Sequence, residues 1–261
     1  MRAAHFTSRS GRRRRLGAAA ALASVPFAIS ACGEDKADAT ASFRSPEDGA
    51  NVAGMLAVDM VADGVTIEAA GEEHDGFGHF HVIVDDGCVS TGTAVPKDAR
   101  HVHFGSGATT GAIYLEPGEH ELCLQIGDGV HSALDVTDTV TVTVGVTTQE
   151  QWCDVVADVD EMFTQADSDG EDFAVRQVTY GNIVRLIAQL TDGIDVVAEG
   201  VRDDVTAAIA TGSQIAAAFA DAPDESAAGV ALEEIFGAEG ADAMAEAAPW
   251  INETCGVDID G

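Results

Sequence analysis

The chain has 261 residues, of which 45 are acidic and 13 basic, and its formal net charge at pH 7 is −32. This excess of negative charge repels phosphates, so a nucleic-acid-binding function is excluded. The acidic residues are spread along the chain, which favours a surface adapted to high salt. A calcium store or a ligand for a basic partner is the alternative interpretation.

Residues 1–31 have the order of an export signal. They hold six of the basic residues and no acidic residue, and residues 16–31 form an apolar run too short for a settled membrane span. Arg13-Arg14-Arg15-Leu16 also fits a twin-arginine signal. Ile29-Ser30-Ala31-Cys32 resembles a lipobox, in which the cysteine becomes the acylated first residue. We therefore predict an exported lipoprotein, anchored to the outer side of the cell membrane through Cys32. An uncleaved anchor helix and an ordinary cleaved signal are the alternatives.

Four cysteines remain if Cys32 carries the lipid, and an even number outside the cell indicates two disulfides. Three pairings are formally possible. The domain organisation described next favours Cys88–Cys123 and Cys153–Cys255, with one bridge in each domain. No C-x-x-C motif is present, so a thioredoxin-like redox role has no support.

Two periodicities divide the rest of the chain. Residues 32–41 are small and polar and predict a flexible tether. Residues 42–146 contain about seven short alternating runs separated by Gly, Asp and Pro turn signals, which predicts an antiparallel, immunoglobulin-like β-sandwich. The predicted runs are Leu56–Val61, Val65–Ala69, His79–Val84, His101–Phe104, Thr109–Leu115, His120–Ile126 and Thr137–Val146. Residues 147–261 change to helical spacing and predict an α-helical bundle. The predicted helices are one through Trp152 to Phe163 and others at Phe173–Leu190, Ile194–Ala210, Ser213–Ala220 and Ala227–Ala247.

The histidines are the candidate chemistry of the chain. Seven of the eight fall in the β domain, and two groups are H-x-H pairs: His79 with His81, and His101 with His103. Alternation along a strand places both members of a pair on one face, opposite the apolar residues. If the two strands are neighbours, the imidazoles converge, and neutral imidazole suits zinc or copper. His131, in a loop, is a candidate fifth ligand. The alternative is that these histidines only bond to nearby backbone.

The same residues resemble a known family. Gly78-His79-Phe80-His81-Val82-Ile83-Val84-Asp85 and His101-Val102-His103-Phe104-Gly105-Ser106-Gly107-Ala108-Thr109 are followed by Leu115-Glu116-Pro117-Gly118-Glu119-His120-Glu121-Leu122 and by Ile126-Gly127-Asp128 with His131. This order is similar to domain of unknown function 4399 over residues 42–146. The resemblance implies a secreted β-sandwich and brings no established activity.

The sequence therefore predicts a cell-surface binding or interaction module, with copper or zinc as the candidate metal and a protein of the cell envelope as the candidate partner of the helical domain. The motifs of serine hydrolases, zincins, P-loop proteins and dinucleotide-binding folds are absent, so an enzyme is not favoured. A metal-dependent extracellular enzyme and a purely structural envelope component are the alternatives.

Overall fold

The computed structural model describes residues 38–166, 172–237 and 240–259. The predicted signal sequence and Cys32, with the lipid anchor assigned to it, lie outside the described residues. The described chain is a β-sheet domain followed by a helical region.

Nine strands form the β domain. They are β1 (Thr40–Ser45), β2 (Ala50–Val52), β3 (Leu56–Asp63), β4 (Thr66–Ile67), β5 (Phe77–Val84), β6 (His101–His103), β7 (Thr110–Ile113), β8 (Gly118–Gly127) and β9 (Ala133–Val144). One sheet has the order β1-β3-β7, and the other has the order β2-β9-β8-β5-β4, with β6 also paired to β5. This curled β-sheet domain confirms the predicted β class, while the immunoglobulin-like arrangement stays a prediction.

Two short strands depart from the predicted antiparallel pattern. β2 pairs with β9 in parallel, and β4 pairs with β5 in parallel, whereas the other strand pairs are antiparallel. Neither β1 nor β2 was among the predicted runs, and β1 begins at Thr40, within the range predicted as a tether. Ala41 is buried in the core there. β1 and β2 contain mostly small and polar residues, so their sequences show no clear apolar alternation. They are strands because they pair with β3 and β9.

The two faces of β5 have different roles, one in the core of the β domain and the other in the histidine site. Phe80, Val82 and Val84 pack in the cluster that fills the β domain, together with residues of β3 and β8. Successive side chains of a strand point to opposite faces, so His79 and His81 lie on the other face. That face is also buried: His79 is 0% exposed and His81 2%.

A disulfide covers this second face. Cys123 of β8 lies opposite Ile83 of β5 and is bonded to Cys88, in the segment that follows β5. The bridge therefore holds residues 85–95 over the face that carries His79 and His81. This pairing is the one that the sequence favoured.

The helical region contains five α-helices and one turn of 3₁₀-helix within the described residues. The α-helices are α1 (Gln149–Ala166), α2 (Phe173–Asp192), α3 (Arg202–Ala220), α4 (Glu225–Gly237) and α5 (Gly240–Cys255), and the 3₁₀ turn is Ile194–Val196. The prediction of two helices at Ile194–Ala210 and Ser213–Ala220 has the wrong bounds, because α3 runs unbroken through Gly212. The single predicted helix at Ala227–Ala247 is divided into α4 and α5.

The ends of the helical region are tied together. α1 begins with a threonine cap, in which Thr148 accepts a hydrogen bond from the Gln151 amide at 3.2 Å. Cys153 of α1 is bonded to Cys255 at the end of α5, the second predicted bridge. Both disulfides are consistent with an extracytoplasmic protein. None of the helices in the described ranges is long and apolar enough to span a bilayer.

Candidate metal centre

Strand pairing brings the two H-x-H motifs side by side. In the antiparallel pairing of β5 with β6, His81 lies directly opposite His103. β8 pairs with the other edge of β5, and there His79 lies opposite Gly127. Directly opposed residues share a face of the sheet, so the site forms on the face away from the β-domain core.

His131 reaches the same place from the loop after β8. Its backbone has φ of 70°, a left-handed conformation that is uncommon for a residue with a side chain. Asp128 holds this loop, since its carboxylate accepts from the Val130 and Ser132 amides at 3.0 and 2.8 Å. A strained backbone held by its surroundings is a feature of binding sites, and here it aims an imidazole at β6.

Four imidazoles meet at this point. The Nε2 atoms of His79 and His81 are 3.0 Å apart, and those of His103 and His131 are 3.1 Å apart. The ring centroids of His79 lie 4.9 Å from His103 and 4.8 Å from His131. Ligand atoms of His79, His81 and His103 all lie within 4.8 Å of one another. A tetrahedral zinc ion with bonds of 2.0–2.1 Å separates its nitrogen ligands by about 3.3 Å, which is close to the 3.0 and 3.1 Å of the two Nε2 pairs.

Two glycines leave room for these rings. A methyl group at Gly127 would lie 2.9 Å from His81 Nε2, and one at Gly105 would overlap the His103 ring. Loops close around the cluster: the Val95 amide donates to the His131 carbonyl at 2.9 Å, and the Ala70 amide donates to the Gly105 carbonyl at 2.9 Å. These bonds hold the segments that carry His131 and Gly105 next to the cluster.

The four histidines do not make the backbone bonds expected of structural histidines. Within the described residues, the hydrogen bonds of their ring nitrogens join only members of the cluster. The Nδ1 atoms of His79 and His81 are buried without a partner there. An unsatisfied buried polar atom costs about 1–3 kcal/mol, and the fold carries this cost at two adjacent ligand positions.

The electrostatics keep the buried imidazoles neutral. The pKa of His79 is lowered to about 4, by burial first and then by the neighbouring His103 and His131, while Asp128 acts to raise it. Burial and then the other histidines, His79 first, lower the pKa of His81 to about 3. The pKa of His103 is lowered by burial, by His131 and by Lys97. A neutral imidazole is the form that binds a metal ion, so three ligands are ready near pH 7.

His101 is the one predicted ligand that the structure places outside this group. It lies opposite Ile83 and is buried, and its Nδ1 is 2.8 Å from the Asp98 carboxylate. The other two histidines of the domain are also engaged elsewhere, His74 with Glu68 at 2.8 Å and His120 with Asp85 at 2.7 Å. The predicted set therefore contains four residues that meet and one that does not.

Sequence reasoning missed the residues that shape the site. Gly105, Gly127 and Asp128 belong to the motifs that carried the family resemblance, yet they were not predicted as part of the site. A glycine directly after an H-x-H-F run and another directly before an Asp-Gly turn were the available signals.

Comparison with known proteins gives a family match over part of the chain. No curated protein matches the chain. An X-ray structure of the endo-beta-1,4-mannanase from Thermotoga petrophila matches at 21% identity and a TM-score of 0.27, over 44% of this chain and 22% of that one. The chain thus spans less than a quarter of that enzyme, and a likeness at this TM-score carries no argument. Residues 58–145, which include β5 and all four clustered histidines, match the family model described as Domain of unknown function (DUF4399).

Proposed function

We propose that this chain is an exported, lipid-anchored cell-surface protein whose β domain binds a transition metal ion through His79, His81, His103 and His131. The observation that carries the proposal is the convergence of four imidazoles from two strands and one loop, with Nε2 pairs 3.0 and 3.1 Å apart. Four imidazole nitrogens with no thiolate among them suit Zn²⁺ or Cu²⁺.

The ligand number favours binding over catalysis. Catalytic zinc sites hold the metal with three protein ligands and keep a fourth position for water or substrate, whereas four protein ligands close the shell. His79 and His81 are almost fully buried, whereas His103 is exposed, so solvent reaches the cluster at His103. A metal-dependent enzyme would need His131 to leave the metal and admit water.

Export and anchoring rest on the residues before Ala37. The basic head, the apolar run and the small residues before Cys32 occur in the order of a lipoprotein signal. Two disulfides in the rest of the chain support an oxidising compartment. An immunoglobulin-like arrangement of the β domain belongs to the same proposal, because secreted binding modules commonly use this scaffold. Replacing Cys32 with Ala should release the protein from the membrane fraction into the medium.

The metal proposal is tested on protein produced without a His tag. Metal analysis after dialysis against trace zinc and copper should give about one ion per chain. His79→Ala and His103→Ala, which remove a ligand from different strands, should each weaken binding by at least about a hundredfold. His74→Ala is the matched control, because this histidine lies outside the cluster and pairs with Glu68.

X-ray absorption spectroscopy separates the outcomes. Four nitrogen ligands of the imidazole type support the binding function. Three imidazoles and one exchangeable oxygen support the enzyme alternative instead. Binding that is equally strong in wild type and both cluster variants would refute a metal site at these histidines.

A further inference from the structure

The few basic side chains of the described chain fall into two groups. Six are present, and three of them pair with carboxylates: Arg44 with Asp59, Arg176 with Glu225, and Arg202 with Asp195. The remaining three line one cleft of about 700 Å³; they are Lys97, Arg100 and Arg185. In a chain with 45 acidic residues, cations without a carboxylate partner are unexpected, and all three occur at one place.

None of these three cations forms an ion pair with a carboxylate of the described residues. Among the described residues, Lys97 and Arg100 form no ion pair and no side-chain hydrogen bond. Arg185 donates only to neutral acceptors of its own helix, the Asn182 side chain at 3.0 Å and the Gly181 carbonyl at 3.3 Å. Arg185 belongs to α2, whereas the other two precede β6, so the cleft lies where the helical region meets the β domain.

Three carboxylates line the cleft, and two of them are hydrogen-bonded within the protein. Asp98 binds His101 at 2.8 Å and the Arg100 amide at 2.9 Å, and these bonds lower its pKa. Asp85 binds His120 at 2.7 Å and the Glu121 amide at 3.0 Å. The third, Glu116, is exposed. Within the described residues, none of the three carboxylates forms an ion pair with Lys97, Arg100 or Arg185.

The cleft also offers apolar surface. Val102, Ile113 and Tyr114 line its β side, and Val178 lines its helical side. Val178 is 66% exposed. A pocket of a few hundred Å³ with apolar walls and convergent charged groups is the usual form of a small-molecule site.

We infer that this cleft binds a small organic carboxylate with an apolar body. The carboxylate accepts charge-assisted hydrogen bonds from Arg100 and Arg185, with Lys97 as a third cation, and the body packs on Tyr114 and Val178. The lining of the cleft contains none of the four clustered histidines, and the site requires no metal. Local contact with the cations outweighs the repulsion from the acidic chain, because exposed charges beyond about 10 Å are screened at 0.1 M salt.

Benzoate is the probe, and its titration into the disulfide-intact mature chain is followed by amide NMR shifts and by calorimetry. We expect saturable shifts at residues around Arg100 and Arg185. Benzyl alcohol has the same shape without the charge, and inorganic phosphate has charge without the apolar body, so both should bind at least about tenfold more weakly.

Charge-removing variants locate the site. Arg100→Gln and Arg185→Gln should each weaken benzoate binding about tenfold. Arg44→Gln removes the same charge outside the cleft and should leave binding unchanged. Arg100 is exposed, so its variant tests the site even if Arg185→Gln fails to fold. Equal weakening by Arg44→Gln, equal binding of benzyl alcohol, or tighter binding of phosphate would overturn the inference.

Discussion

Gly127 shows how one missing side chain decides whether the histidines can meet. This glycine of β8 lies opposite His79 of β5, and a methyl group on it would come within 2.9 Å of His81 Nε2. Real Cβ atoms avoid such contacts, so either the ring or the strand must move. The imidazole is the mobile part, because β8 is fixed by its pairing with β5 and β9.

Gly127→Ala should therefore impair the metal site before it impairs the fold. We expect zinc or copper affinity to fall at least about tenfold, as for loss of a positioning contact, with the disulfides still formed. Calorimetric titration of the metal measures the affinity. Gly71→Ala is the matched control, because nothing lies within 4 Å of a methyl group there. Unchanged affinity in Gly127→Ala would show that the ring has another route to the metal.

Depressed histidine pKa values also affect stability. The unfolded chain has histidines near pKa 6.5, whereas in the folded metal-free protein His79 has a pKa of about 4 and His81 of about 3. Between these values the unfolded state binds more protons than the folded state. The stability contribution is therefore complete above pH 6.5 and is lost as the pH falls from 6.5 towards 4.

A double variant isolates this effect from the carboxylates, which titrate in the same range. Urea unfolding of metal-free wild type and of His79→Asn/His81→Asn should be compared at pH 7.5 and pH 4.5. Wild type should lose about 2 kcal/mol or more relative to the variant at the lower pH. Parallel pH dependence in the two proteins would mean that these imidazoles are not held neutral by the fold.

Single residues also mark the limit of prediction from sequence. Alternation along β5 was enough to place His79 and His81 on one face, because a strand has a fixed period of two. The same argument grouped His101 with His103, yet Asp98, three residues earlier, binds His101 and holds it away from the cluster. His131 depends on a turn held by the Asp128 side chain, which no periodicity describes.

Elements were predicted best where their pattern is long. α1 and α2 lie close to their predicted ranges, and β5 and β8 extend the predicted runs by a few residues. β1 and β2 were missed, because they are short and depend on strands distant in sequence. The prediction placed a break in α3 around Gly212. A methyl group at Gly212 would contact only Ile187, at 3.6 Å, and this glycine does not end the helix.

Gln189 joins the helical region to the β domain through hydrogen bonds that the sequence did not predict. It is fully buried on α2, where an apolar residue would be expected. Its side chain accepts from the Gly54 amide at 2.7 Å and donates to the carbonyls of Gly54 and Leu115 at 3.2 and 3.0 Å. One amide thus satisfies three backbone groups of the β domain from the helical region.

Replacing Gln189 with Met keeps the volume and removes all three bonds. The buried backbone groups of Gly54 and Leu115 would then be unsatisfied, so the free energy of unfolding should fall by about 3 kcal/mol. Urea unfolding followed by circular dichroism measures the change. Gln151→Met removes bonds at an exposed helix start and should cost much less. Equal losses in the two variants would show that Gln189 does not join the two regions.

At the scale of the whole molecule, charge is the dominant feature. Beyond residue 31, 45 acidic residues face seven basic ones, a formal charge of about −38. Only three ion pairs with Arg occur among the described residues, and each includes an acidic partner that is at least 41% exposed. Most acidic residues are therefore left without a cation, and their mutual repulsion opposes the compact state.

Salt should therefore stabilise this protein. Screening shortens the range of repulsion from about 10 Å at 0.1 M to about 3 Å at 1 M, and the folded state benefits more because its charges are closer together. From 0.1 to 2 M KCl we expect the free energy of unfolding to rise by at least about 2 kcal/mol, or roughly 4–8 °C in Tm for a chain of this size. Scanning calorimetry at pH 7.5 on the metal-free protein measures the shift. Sucrose at equal osmolality is the control for general exclusion effects, which act without screening charge. A Tm that stays flat in KCl, or that rises equally in sucrose, would mean that repulsion among the carboxylates does not limit stability.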